Sequence, residues 1–232
     1  KNGWSKVKLY FMMGLPTDTD EDLKGIADLA NKIRNLYYEI RKKRDCHITV
    51  SVSSFVPKPF TPFQWMPQCS VKEIERKQQY LKSLFKDKHI KYAYHDAKTG
   101  YLEAVLARGD RRIGKVIYTA WKKGSTYDSW TEFFDYDRWM ESFEECGINP
   151  DDYTSRERDE YEPEPWDHID CGVTKDYLRK EWRMAQNAAL TSDCRHLPCN
   201  GCAVCPALSV DLIDYGEDTS CEKNVFIYKQ RR

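Results

Sequence analysis

Two apolar runs joined by one amphipathic helix leave this chain few folds to choose from. "KVKLYFMM", Lys6 to Met13, begins with alternation and becomes a continuous apolar run. That is the pattern of a strand buried on both faces, as in a parallel sheet. "GLPTDTDEDL" follows as a turn, then Thr and Asp at a helix start with acids in the first turn. Leu23, Ile26, Ala27, Ala30, Ile33, Tyr37 and Ile40 recur at three- and four-residue intervals, which predicts a helix to about Arg41. "HITVSVSSF" then places Ile48, Val50 and Val52 on one face and Thr49, Ser51 and Ser53 on the other. Strand, helix, strand predicts parallel neighbours with a right-handed crossover, so turns 14–17 and 55–59 should share one end of the sheet. The hydroxyl face reads either as an outer, solvated face or as the mouth of a barrel.

The pattern changes after residue 55. "VPKPFTPFQWMPQC" carries four prolines and reads as neither helix nor central strand. Ser70 and Glu73 form a capping-box pattern that predicts a helix to about Lys86. "IKYAYHD" reads as a further short strand. Ile113, Val116, Ile117, Ala120 and Trp121 form an apolar stripe ended by Gly124. Trp139, Met140 and Phe143 mark another helix, stopped near Gly147 and Pro150. "TSRERDEYEPEP", Thr154 to Pro165, reads as an exposed linker, followed by a helix from Lys175 to Ala188. No internal repeat is visible.

Composition narrows the function class. The 37 Lys and Arg cancel the 37 Asp and Glu, so the basic excess of a generic nucleic-acid or membrane-surface binder is missing. No stretch approaches the roughly 20 apolar residues of a membrane span, and "KNGWSKVKLYF" has no signal-peptide segment. The expectation is a cytoplasmic protein without a membrane partner. With no initiator Met and a strand almost at once, the further expectation is a piece of a longer polypeptide.

A reducing cytosol favours metal binding over disulfides for clustered cysteines. Cys194, Cys199, Cys202 and Cys205 have the spacing C-x4-C-x2-C-x2-C, the last followed by Pro206. A two-residue gap turns two thiolates toward one metal or cluster face, and Gly201 supplies backbone freedom. Contiguous ligands suit an iron–sulfur cluster; four thiolates suit a structural zinc equally well. Cys46, Cys69, Cys146, Cys171 and Cys221 are scattered and read as ordinary buried thiols. In "WDHID", Asp167, His168 and Asp170 read as a hydrogen-bonded turn or as metal ligands. In "ARGDRR", Arg108, Arg111 and Arg112 read as a solvated helix face or as an anion site. Gly14 to Thr17 and the proline-rich stretch from Ser53 each follow a strand, where a ligand would sit; a structural turn and a rigid covering loop are the plain alternatives.

The segments "LYFMMGLPT", "VSVSSFVPKPFTPFQW", "HDAKTGYLEAVLARGDRRIGKV" and "PWDHIDCGV" together resemble the radical SAM superfamily, and within it the proteins whose amino-terminal region is cobalamin-binding-like. The resemblance runs from Trp4 to about Cys205. It implies an α/β fold: the carboxyl-terminal part of a partial (β/α)6 TIM-like barrel, a mostly helical extension, and a Cys-rich tail. On this reading residues 1–70 hold the last barrel strands, 71–155 the extension, and 156–232 a linker, a helix and the metal-binding tail. Gly14, Leu15, Pro16 and Thr17 match the turn after the fifth strand, near bound S-adenosylmethionine. Ser53, Ser54, Phe55, Val56 and Pro57 match the end of the sixth strand, near the adenine. Thr17 departs from the Glu common in that pattern. The CxxxCxxC loop that holds the [4Fe-4S] cluster would lie upstream of Lys1. The resemblance thus implies a 5′-deoxyadenosyl-radical enzyme acting on an unknown substrate together with the upstream part of its polypeptide. Cobalamin is a further cofactor of the full-length protein on this reading, and the tail cysteines hold a second [4Fe-4S] cluster or zinc. The competing reading is a non-catalytic helical module whose zinc-stabilised tail docks a protein or RNA.

Overall fold

A computed structural model of the chain describes residues 3–210. The chain divides into two compact units, Lys1–Pro57 with Met66–Arg158, and Lys58–Trp65 with Asp159–Arg232. In the first unit, β1 (Lys6–Met13), β2 (His47–Ser54) and β3 (Ile90–Tyr94) form a parallel sheet in the order β1-β2-β3. The crossovers are α1 (Asp20–Arg41) and α2 (Val71–Leu84); α3 (Ala97–Arg108), α4 (Ile113–Lys122), α5 (Tyr136–Cys146) and α6 (Asp151–Thr154) follow. The second unit contains α7 (Lys175–Gln186) and α8 (Val204–Leu208).

Period-two alternation gives the sheet two unlike faces. Met13, Ile48, Val50, Val52 and Ile90 are buried on one, against Leu23, Ile26, Ala27 and Ala30 of α1 and Leu81 of α2. Burying each large aliphatic side chain contributes about 1.5–3 kcal/mol. That outweighs per-residue helix propensities of under about 1 kcal/mol, so packing on the sheet fixes which face of α1 turns inward. The register aligns Lys8 with Thr49, Tyr10 with Ser51 and Met12 with Ser53 on the opposite face. Tyr10 is 72% exposed and Met12 48%. Both crossover helices therefore lie on one face, and the hydroxyl row lies on the other.

A second core joins Tyr101, Leu102 and Val105 of α3, Ile113, Val116 and Ala120 of α4, and Trp139 and Phe143 of α5. Several expectations need correction. Ile117 and Trp121 are exposed, because α4 buries only the narrower row of Ile113, Val116 and Ala120. Glu73 does not close a capping box: Ser70 Oγ accepts from Glu73 N–H at 3.2 Å, but the Glu73 carboxylate is taken by Arg76 at 2.8 and 2.9 Å. The helix ends at Leu84, where Phe85 turns extended and packs on Tyr92 with ring centroids 5.5 Å apart. Thr154, Arg158 and Glu164 are buried, so 154–165 is not a plain exposed linker. Arg108 is fully buried rather than solvated, and its Nη1 donates to the Met66 carbonyl at 3.0 Å. No helix among the described residues is long and apolar enough to cross a membrane.

Candidate functional site

The carboxyl ends of β1 and β2 meet directly, since Phe55 N–H donates to the Met13 carbonyl at 2.7 Å. Gly14 to Thr17 and Ser53 to Pro57 therefore lie at one end of the sheet. Gly14 takes φ +80, and its N–H donates to Asp18 Oδ2 at 2.7 Å. Asp18 N–H donates to the Leu15 carbonyl at 3.2 Å, closing the turn. Thr19 then caps α1, and its N–H donates to Asp22 at 2.8 Å. A Cβ on Gly14 would lie 2.5 Å from Ile74 Cδ1 and 3.5 Å from Cys69 Cβ. The left-handed backbone favours glycine here, and an added Cβ would also displace the terminal methyl of Ile74 on α2.

An ion pair locks this turn. Lys77 Nζ pairs with Asp18 Oδ1, the two side chains being 6% and 10% exposed. Lys77 also donates to the Asp18 carbonyl at 3.3 Å. A pair this buried is costly to break, because either partner left alone is an uncompensated charge. The Cys69 thiol sits beside it. Burial raises its pKa, with Lys77 opposing and Asp18 adding. Sequence reading missed both Asp18 and Lys77. The available signal was position: Ile74, Lys77, Gln78 and Leu81 make the buried stripe of α2, so a charge stood on the apolar row.

The residues expected near an adenine separate into two environments. Ser53 is exposed on the hydroxyl face, and its Oγ donates to the Phe11 carbonyl at 3.3 Å. Ser54 is buried, and its Oγ has no hydrogen-bond partner. The Phe55 carbonyl accepts from Gln68 Nε2 at 3.2 Å. Val56 is half-buried and Pro57 buried. Leu15 is half-buried, while Pro16 and Thr17 are exposed. Ser53, Pro16 and Thr17 are thus open to a ligand, whereas Gly14, Ser54, Phe55 and Pro57 are buried.

In the second unit Cys199 is exposed and Cys194, Cys202 and Cys205 are half-buried, all with free thiols. Gly201, at φ +78, directs its N–H to Cys199 Sγ at 3.4 Å. Thr174 N–H donates to the Cys202 carbonyl at 3.3 Å. The Tyr177 hydroxyl has a raised pKa, first from burial, then from Glu181, Cys202 and Cys194 nearby. Among the described residues, no group of three or more His, Cys, Asp and Glu side chains would hold a metal ion. Cys171 is exposed rather than buried, and Cys221 lies outside the described residues.

"WDHID" folds as a turn. Asp167 Oδ2 accepts from Glu164 N–H at 2.9 Å and Lys175 Nζ at 2.5 Å; Asp170 Oδ1 accepts from Gly172 N–H at 2.8 Å. Arg112 pairs with Asp110 at 2.7 Å and lies over the Tyr153 ring, 5.9 Å from its centroid. Asp167 and Asp170 also border a cavity of about 360 Å³ inside the second unit, together with Phe60, Gln64 and Trp166. Sequence reading did not find this cavity, because its walls lie about a hundred residues apart.

An uncharacterized protein of Methanocaldococcus jannaschii is 35% identical to this chain over 130 residues, covering 54% of the chain. The chain spans 26% of that relative's length. No protein-family profile matches the chain. No solved structure matches it.

Proposed function

We propose that this chain is the carboxyl-terminal part of a radical SAM iron–sulfur enzyme. The observation that carries the reading is the winding of the sheet. Consecutive parallel strands lie side by side in chain order, with both crossover helices on one face. That is how a (β/α) barrel is built; a doubly wound sheet reverses direction and covers both faces. The uncovered face would be the lumen, with Tyr10, Met12, Ser51 and Ser53 along it. Turn 14–17 and segment 53–57 form its rim. The residue resemblance to the radical SAM superfamily supplies the cofactor class.

The residues present fit one edge of an S-adenosylmethionine pocket. Ser53 offers an exposed hydroxyl, and Pro16 and Thr17 an exposed turn, at the carboxyl end of the strands where barrel ligands sit. When bound, the cluster and S-adenosylmethionine supply an electron and a radical that abstracts hydrogen from substrate. This chain's residues orient and enclose. The Lys77–Asp18 pair holds turn 14–17 in place, and Gln68 holds the Phe55 carbonyl. The upstream part of the polypeptide would bring the cluster loop and any cobalamin, in the cytoplasm. The tail cysteines keep the spacing of a second iron–sulfur or zinc centre, but as placed they do not form a ligand set, and no step is assigned to them.

The test is anaerobic assay of the whole polypeptide containing this segment, reconstituted with iron and sulfide. With dithionite and S-adenosylmethionine it should release 5′-deoxyadenosine and methionine, while the isolated chain releases neither. A reconstituted polypeptide that binds iron and yields no 5′-deoxyadenosine overturns the reading.

A further inference from the structure

The cavity of the second unit contains an unmet demand. Gln64 is 1% exposed and lines the cavity. Its Oε1 accepts from Phe60 N–H at 3.0 Å and from Trp166 Nε1–H at 3.0 Å. Both neighbours are donors, so the amide can stand only one way round, with oxygen toward them and nitrogen away. The remaining Nε2 is buried and has no hydrogen-bond partner. A buried donor without an acceptor is costly, and native proteins keep few of them. Phe60 adds a second sign. Its φ is +60, a left-handed backbone on a bulky residue, and the Gln64 oxygen takes its N–H. Strain of this kind gathers at ligand sites.

The rest of the lining specifies what would meet that donor. Phe60 and Trp166 are aromatic walls, and Ile169, Val173 and Leu178 add apolar surface. A volume of about 360 Å³ falls in the range of small-molecule sites. At the border, Lys175 is already paired with Asp167, and Asp170 adds a second carboxylate. The border therefore carries two acids against one base, which disfavours an anion and suits hydroxyl donors.

We infer that this cavity binds a nucleoside. A base carbonyl or ring nitrogen accepts from Gln64 Nε2, the base plane lies against the aromatic walls, and ribose hydroxyls donate to Asp170. A nucleotide is excluded by charge, because its phosphate would face Asp167 and Asp170 with the single lysine already committed. The site is lined by residues of the second unit alone and does not depend on the radical-enzyme reading.

The experiment uses the purified chain with indole nitrogens labelled. Its 7 tryptophans give one resonance each, and Trp166 is assigned by its loss in Trp166→Phe. Adenosine, guanosine, cytidine, uridine and uridine 5′-monophosphate are titrated separately. At least one nucleoside should shift the Trp166 resonance saturably at or below roughly 1 mM. Gln64→Glu keeps the acceptor for Phe60 and Trp166 but replaces the free donor with a charge, and should weaken binding by at least about tenfold. Val173→Phe fills the cavity without touching Gln64 and should abolish the shift while the other indole resonances stay dispersed. Should Gln64→Glu fail to fold, Val173→Phe decides alone. The proposal falls if no nucleoside moves the Trp166 resonance, if Val173→Phe binds as wild type, or if the monophosphate binds as tightly as uridine.

Discussion

Alanine at Gly14 should destabilise the first unit with no ligand present. Two costs add. The φ of +80 is left-handed, which costs a residue with a Cβ about 1–2 kcal/mol. The new Cβ would also lie 2.5 Å from Ile74 Cδ1, and Ile74 is 2% exposed, so its methyl cannot swing into solvent. Overpacking of this kind costs about 1–3 kcal/mol, so Gly14→Ala should lose about 2–5 kcal/mol in all. Ile74→Val deletes the offending methyl and costs about 0.5–1.5 kcal/mol by itself. In the double variant the clash is gone and only the backbone and cavity costs remain, about 1.5–3.5 kcal/mol. Simple addition would give about 2.5–6.5 kcal/mol, so the cycle should show a favourable coupling of about 1–3 kcal/mol. Urea unfolding followed by far-ultraviolet circular dichroism measures each corner, with unchanged slopes as the check on comparability. Additivity within about 0.5 kcal/mol, or a Gly14→Ala chain as stable as wild type, refutes the argument that α2 closes this turn.

Three further outcomes follow from the same geometry. Burial pushes the Asp167 carboxyl up, but the Glu164 N–H and Lys175 outweigh it and the net pKa is lowered. Its stabilisation is therefore present above the ordinary carboxylate pKa of about 3.9 and lost as pH falls through the lower folded value. The protection factors of amides 164–175, taken relative to the intrinsic exchange rate at each pH, should fall on acidification through that range and be unchanged between neutral pH and the ordinary carboxylate pKa; Asp167→Asn should remove the dependence. Burial raises the Cys46 and Cys69 thiols, so iodoacetamide should modify exposed Cys171 and Cys199 first and Cys46 last, and a fast Cys46 contradicts the burial. If the tail spacing does gather a metal, supplying iron and sulfide or zinc anaerobically should protect Cys194, Cys199, Cys202 and Cys205 together. Cys202→Ser should then lower bound metal; unchanged metal content refutes the site.

The sheet was legible because period-two and period-3.6 patterns are local. Lys6 to Met13, the α1 stripe and the Ile48–Val50–Val52 row each carry their own face in the sequence, and pairing follows from the crossover rule. Polar groups inside the protein were not legible, because a pattern gives a face but not a partner. Arg108 looked solvated inside "ARGDRR", yet it lies three and four residues after Val105 and Ala104 on the buried side of α3. Lys77 shares the Ile74–Leu81 stripe, but only the fold shows that Asp18 meets it. Ile117 and Trp121 misled in the other direction: the stripe was real, but α4 buries only its narrower row. Gln64 sits in a proline-rich stretch without periodicity, and its partner Trp166 lies far along the chain. Nothing local could have paired them.

The central claim is that the uncovered sheet face and the outer edge of β1 belong inside a larger barrel. Ser5 and Met13 carbonyls accept from β2, and alternation then turns the N–H groups of Lys6, Lys8, Tyr10 and Met12 toward the open edge. Amide hydrogen exchange of these four positions, compared between this chain and the whole polypeptide that contains it, measures the claim directly. The account predicts fast exchange in the isolated chain and strong protection in the whole polypeptide, with the N–H groups of Val7, Leu9 and Phe11 protected in both. Equal, fast exchange of Lys6, Lys8, Tyr10 and Met12 in both would mean that no strand joins β1, and the barrel reading would be wrong.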